Sequence, residues 1–383
     1  MGHRTHPVAR IALAIVVLSA AWLCSAGTAA AKRLPYGFSG VVYSGPGYAP
    51  PYPGIAGDFA RMRRAGVESV RLDVQWQLVE PDRGVLRFDL LDPMVEASAK
   101  HRMDLLPMVW TTPRWASQQP GRPDFAIWSP ANTSDYAAFL QQLIHRYGPR
   151  GDFWREHKRL PKRPIRAWQI WNEPSARYWW ATPDYRSSYV ALLKAAYPAV
   201  HAADRGAKVV MAGLASFLSS TSGETSTNWE DLDAFYRNGV RGYFDVAAVH
   251  AFSYRVKDVM RTVAKVRAVM RDNGDRRKPI YATEVSWPAL SPLLPPSRHL
   301  GFEVSPRGQR ERLAATYRRF ARDRSLGVTR AYWNSWSSSY GIDSCNPAPG
   351  PFEFVGLVQR GCQQSAYRPT PLLKAYTRAV RRY

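Results

Sequence analysis

Two glutamates stand in contexts that free a carboxyl group for chemistry. Glu173 lies in Trp171-Asn172-Glu173-Pro174 and Glu284 in Thr283-Glu284-Val285-Ser286-Trp287, each at the end of a near-continuous apolar run. A Glu at the tip of a buried strand, beside an amide and among indoles, is placed to give a proton or to be attacked rather than to pack. Two such groups meeting over one sugar ring are what cleavage of a glycosidic bond needs: a proton for the departing oxygen and a second carboxylate against the anomeric carbon. Carboxyl groups about 5 to 5.5 Å apart imply a covalent retaining route and about 6.5 to 9.5 Å an inverting one. The residues alone leave the two routes open.

For the pair to meet, strands must deliver both glutamates to one rim. Eight apolar runs read as strands, at 37–44, 69–76, 104–111, 167–173, 208–215, 244–252, 279–287 and 330–337. None alternates strictly, as expected of parallel strands buried on both faces. Amphipathic segments fill the intervals. Thr182-Pro183, Ser305-Pro306 and Thr370-Pro371 read as helix starts, and Gly66, Gly148 and Gly274 as helix ends. Eight strand-helix units predict an α/β fold, a single (β/α)8 TIM barrel. Three long tracts, 216–228, 288–304 and 340–366, follow strands and so enlarge the βα loops at the C-terminal face, where sites are built. Strands four and seven lie on roughly opposite sides of such a ring, which lets Glu173 and Glu284 face each other.

The composition sets the setting. Of 383 residues, 45% are apolar and 22% charged, ordinary values for a globular chain. The single apolar stretch of near-membrane length is N-terminal, which excludes a multi-spanning transporter. Arg4 and Arg10 precede an uncharged run, and a small-residue tract with Ala29 and Ala31 precedes Lys32. This predicts a signal peptide over 1–31 and a catalytic domain over 32–383, exported and free of stable membrane insertion. The alternative is an uncleaved anchor, since 11–31 could just span a bilayer. Cys24 would leave with the leader, and Cys345 and Cys362 are expected to form a disulfide in an oxidising compartment. The eight His are scattered, so no metal site is predicted, and no cofactor. The net charge is +23. It contains no long run of like charge, which speaks against a nucleic-acid arm. Arginine bias on solvated faces is one reading, and attraction to an anionic cell-envelope glycan the other.

Three segments carry a family likeness: Arg71-Leu72-Asp73-Val74-Gln75-Trp76, Glu80-Pro81-Asp82-Arg83-Gly84 and Trp168-Gln169-Ile170-Trp171-Asn172-Glu173-Pro174. Over nearly the whole chain beyond the leader, the sequence resembles clan A glycoside hydrolases, most of all family 39 and its family 5-like relatives. The resemblance implies a retaining glycosidase that acts on a poly- or oligosaccharide by double displacement, with Glu173 as acid/base and Glu284 as nucleophile. It also implies that Asn172 holds the sugar 2-hydroxyl, that Arg71 sits by Glu284, that His250 bonds in the same pocket and that Trp336 floors the sugar subsite. Phe252 departs from the pattern, because the family often has an aromatic hydroxyl there that bonds the nucleophile; Tyr254 and Tyr281 are the candidate substitutes. Trp76, Trp110 and Trp287, at or just beyond strand ends, are further substrate-binding candidates. The rival reading is a barrel that keeps the pocket but binds envelope glycan without cutting it.

Overall fold

Each of the eight apolar runs forms a strand: β1 Ser39–Tyr43, β2 Ser69–Gln75, β3 Asp104–Trp110, β4 Ala167–Ile170, β5 Lys208–Ala215, β6 Val246–His250, β7 Ile280–Val285 and β8 Val328–Trp333. All pair in parallel with their chain neighbours, and β8 pairs with β1, so the sheet closes into a barrel in sequence order. The computed structural model describes residues 1–2, 34–43, 54–215, 217–218, 225–338, 350–360 and 367–382. The predicted leader and the Cys345–Cys362 pairing fall outside these residues.

A helix follows every strand: α1 Ile55–Ala65, α2 Asp92–Lys100, α3 Thr133–Tyr147, α4 Tyr185–Ala203, α5 Asn228–Arg237, α6 Val256–Asp272, α7 Pro306–Arg322 and α8 Pro371–Val380. This is the predicted (β/α)8 architecture. Among the described residues no helix is long and apolar enough to cross a membrane. The start of α7 is as read, with Ser305 Oγ accepting from the Gly308 amide. The start of α4 is not: the cap is Asp184, and Thr182 Oγ accepts from the Ser129 amide in a neighbouring loop instead. Gly66 closes α1 with a left-handed φ of 92°. Gly148 also ends a helix, but at φ −70°, which any residue could adopt.

Strand parity sorts the side chains. One set points outward into a large apolar layer against the helices, including Val70, Leu72, Trp168 and Ile170. The other fills the barrel with Val42, Leu106, Ala167, Val210, Val246 and Ala248. Near the N-terminal ends of the strands a polar plug replaces apolar packing: Arg330 pairs with Asp104 at 2.8 Å and bonds Ser69 Oγ, which in turn meets the Tyr332 hydroxyl.

Two irregularities break the parity. On β7, Ala282 pairs with Val249 and Glu284 with His250, so Thr283 is an extra residue. Tyr281 faces the interior, and strict alternation from it would turn Glu284 outward; the bulge at Thr283 turns it in. On β5, Val210 pairs with Val246 and Gly213 with Ala248, again with one residue extra on β5. That bulge presents Gly213 to the interior.

Candidate active site

Arg71 is the hub of the rim. Two residues inward-facing along β2 from Ser69, it is 1% exposed and uses every part of its guanidinium. Nε donates to Gln169 Oε1 at 2.6 Å, Nη1 to Glu284 Oε1 at 2.7 Å, and Nη2 to Asn172 Oδ1 at 2.7 Å, with Met108 Sδ also against Nη2. Gln169 is itself fixed by donating Nε2 to the Met211 carbonyl. A buried cation is costly unless paired and hydrogen-bonded, so this network sets the orientation of Glu284 and Asn172 together.

Glu173 lies three residues past β4, on a turn in which both Trp171 and Glu173 adopt positive φ, 66° and 37°. Non-glycine residues hold such angles only where the surroundings impose them, at about 1–3 kcal/mol each. Here the Trp171 amide is tied to the Val109 carbonyl and its indole N–H to the Trp179 carbonyl. The turn swings Glu173 over the barrel mouth, where its Oε1 meets His250 Nδ1 at 2.5 Å and its Oε2 accepts from the Tyr178 hydroxyl at 3.4 Å. His250 Nε2 lies 3.5 Å from Glu284 Oε1. One oxygen of each carboxylate and a ring nitrogen of His250 fall within 4.8 Å of one another. The second oxygen of Glu284 accepts from Asn334 Nδ2 at 2.7 Å.

Burial sets the protonation states. It pushes the Glu173 carboxyl up to about 8, against the opposing charge of Arg71 and hydrogen bonds from Tyr178 and Trp179. It holds His250 down to about 3, with Glu284 opposing and Arg71 assisting, so the imidazole is neutral at ordinary pH. Asp73, two residues along β2 from Arg71, is pushed up to about 7, first by burial and then by the like charge of Glu284. Among the described residues its side chain has no hydrogen-bond or ion-pair partner. Glu173, His250 and Glu284 are the one described trio that could hold a metal ion. Arg71 works against that use, because its fixed positive charge already occupies Glu284 Oε1.

The structure therefore brings Arg71, Asn172, Glu173, His250 and Glu284 together. Trp110 is also at the mouth, half-buried, edge-on to Trp179 with ring centroids 4.5 Å apart. Three other tryptophans are corrected. Trp76 is fully buried on the outward side of β2, stacked on Phe139, with its N–H on Glu80. Trp287 is fully buried and donates to the carbonyls of Ser253 and Tyr254. Trp336 is fully buried too, so no face of its ring is open to a sugar. Of the candidate substitutes for the hydroxyl missing at Phe252, Tyr281 sits in the inner core and Tyr254 is exposed under Arg312. Neither bonds Glu284; Asn334 does. Phe252 instead stacks on Phe302 and meets Phe352 edge-on, an aromatic shelf beside the rim.

The sequence reading gave no role to Asn334, Gln169, Asp73 or Gly213. A Cβ on Gly213 would lie 1.9 Å from His250 Nε2, so only glycine leaves room for the imidazole. A polar Gln inside the apolar run of β4 was the readable signal for Gln169.

Solved structures share this fold. A family 39 glycoside hydrolase from the gut symbiont Bacteroides cellulosilyticus aligns over 90% of this chain and 63% of its own, at TM-score 0.61 and 19% identity. A GH5_18 protein from Bifidobacterium longum subsp. infantis aligns over 92% and 79%, at TM-score 0.61 and 15% identity. Another, from Bifidobacterium longum subsp. longum in complex with Manβ1-4GlcNAc, aligns over 90% and 78%, at TM-score 0.59 and 14% identity. Neither a family model nor a curated relative matches the sequence. The likeness to family 39 and family 5-like barrels thus holds at the level of the fold, and this chain spans less than two thirds of the family 39 protein's length.

Proposed function

We propose that the protein is an exported glycoside hydrolase that works by double displacement, with Glu173 as acid/base and Glu284 as nucleophile. The observation that carries this reading is the approach of the two carboxylates to within 4.8 Å, near the spacing of retaining enzymes and well short of the inverting one. Their surroundings differ in the sense the chemistry requires. Glu173, held protonated by burial up to about 8, has a proton to give at neutral pH. Glu284 is gripped by a guanidinium and an amide, which aim its oxygens without competing for them as bases.

In the first step Glu284 forms a bond to the anomeric carbon while the glycosidic C–O bond breaks, and the Glu173 proton passes to the departing oxygen. In the second, Glu173 takes a proton from water as the water oxygen attacks the anomeric carbon and the bond to Glu284 breaks. Asn172 Oδ1 is engaged by Arg71, which leaves Nδ2 for the 2-hydroxyl of the sugar. The bound disaccharide of the Bifidobacterium longum protein supports a carbohydrate as the ligand of this pocket.

Glu284→Gln should abolish release of reducing ends from a polysaccharide panel, and a variant that keeps full turnover removes the assignment. Glu173→Ala should recover activity with azide or with an activated leaving group. NMR of the first-formed product should give the anomer of the substrate; the opposite anomer overturns double displacement.

A further inference from the structure

The outer wall carries a second feature, independent of the rim. Between α7 and α8 runs a groove of about 410 Å³. Its walls hold five cations: Arg310 and Arg318 on one side, and Lys374, Arg378 and Arg382 on the other. Its floor is made of small side chains, Ala314, Ala375 and Ala379. Helical periodicity explains the arrangement. Positions 310, 314 and 318 fall on one stripe of α7, and 371, 375 and 378 on one stripe of α8.

Among the described residues none of the five cations makes a side-chain hydrogen bond or a close ion pair, although Arg310 feels the charge of Glu311 at longer range. The one acid at the groove, Glu311, is already paired with Arg307 at 2.8 Å. Other surface arginines do meet a carboxylate, as in Arg83–Asp135, Arg122–Asp124 and Arg255–Asp258. Like charges on the two walls of one groove repel, and among the described residues lining it only Glu311, already held by Arg307, offsets the five cations. An anion lying along the trough would.

We propose that this groove binds a linear polyanion with phosphate groups along its backbone. Four features favour that chemistry. Cations line both walls of one groove, which suits anions carried along a polymer axis better than carboxylates hung from one side of a sugar ring. The alanine floor admits a slim chain. Arg310 and Arg318 are two turns apart, about 12 Å at 1.5 Å per residue, so several phosphates are engaged at once. Guanidinium groups also match phosphate oxygens in a two-point fashion. A flat anionic membrane fits less well, because the cations line a concavity and the exposed large apolar side chains, such as Leu290, Leu293 and Leu300, lie on other elements. Such a site would hold the protein on a phosphate-bearing surface polymer while the barrel mouth stays free.

The test uses the full chain and fluorescent inorganic polyphosphate, titrated by anisotropy over a salt series. The variant Arg310→Ser/Arg318→Ser/Lys374→Ser/Arg378→Ser should bind at least about tenfold more weakly, with the log–log salt slope smaller by about three, since each lost contact removes about 0.7 of released counterion on a single-stranded polyanion. A charge-matched control on other faces, Arg159→Ser/Lys162→Ser/Arg276→Ser/Arg277→Ser, should keep most of the affinity. Both variants should retain turnover of a small soluble glycoside, which separates this claim from the one about the rim. Equal binding by the groove variant and the wild type, or equal loss in both variants, overturns the proposal. So does groove-dependent binding of polygalacturonate or anionic phospholipid vesicles at the strength seen for polyphosphate.

Discussion

Gly213→Ala tests whether the bulge on β5 exists to make room for His250. The added Cβ would stand 1.9 Å from His250 Nε2, 2.3 Å from Cδ2 and 2.4 Å from Cε1, where ordinary contact begins at 3.4 Å. The imidazole must therefore move by about 1.5 Å, or the strand must. It has no free direction: it is fully buried and its Nδ1 is held at 2.5 Å from Glu173. Overpacking of this kind costs about 1–3 kcal/mol of stability. A misplacement of about 1 Å at a reacting centre costs about 100-fold in rate, so kcat/KM on an aryl glycoside should fall by at least that much. Urea unfolding measured beside the kinetics separates the two losses. In Gly213→Ala/His250→Ala the clash is gone, so stability should recover while activity does not, a clear non-additivity. A Gly213→Ala protein with wild-type kinetics would refute the claim that this glycine positions the pair.

The alkaline limb of kcat/KM should fall near pH 8, because Glu173 must be protonated to act as the acid and burial has raised its pKa to about 8. Tyr178→Phe removes a hydrogen bond that favours the ionised form, so it should move that limb upward; a downward shift would contradict the assignment. Asp73→Asn should raise the melting temperature at pH 8 and leave it nearly unchanged at pH 3. The Asp73 carboxyl has a folded pKa raised to about 7, so the folded state loses stability as pH rises from the unfolded value through about 7, and the amide removes that loss. Asn334→Ala deletes a hydrogen bond to a carboxylate, about 1.5–3 kcal/mol, so kcat should drop by about 10- to 100-fold with the pH limb unmoved.

The strands were legible because a barrel of parallel strands buries both faces, which writes each as an unbroken apolar run. The glutamates were legible as charges set at the ends of those runs, and Arg71 as a charge inside one. What periodicity could not show is where the pleat slips. Counting by twos from Tyr281 turns Glu284 away from the pocket, and only the extra residue at Thr283 restores it. The same blindness hides Gly213, whose role depends on a slip on β5. Tryptophans near strand ends were read as one group, yet parity divides them: Trp110 faces in, while Trp76, one residue past the end of β2, packs outward against Phe139. Asn334 belongs to no motif; it matters because β8 delivers it beside a glutamate that arrives from β7.

Two carboxyl groups this close would ordinarily share one proton and one fate. Here the barrel separates their roles by what each strand contributes. β2 and β8 bring Glu284 a permanent cation and an amide donor, 2.7 Å from one oxygen each. Glu173 receives no charged donor: its neighbours are a neutral imidazole, a phenol and an indole, in a turn closed off from water. His250 stands between them and adds no charge of its own, since burial keeps it neutral down to about pH 3. Arg71 completes the asymmetry, since its Nη1 reaches Glu284 while its other nitrogens are spent on Gln169 and Asn172. Deleting either acid removes a reacting group, whereas exchanging the two surroundings would leave both acids in place with their roles undone, and a charged residue in place of His250 is the single change that comes nearest to that exchange.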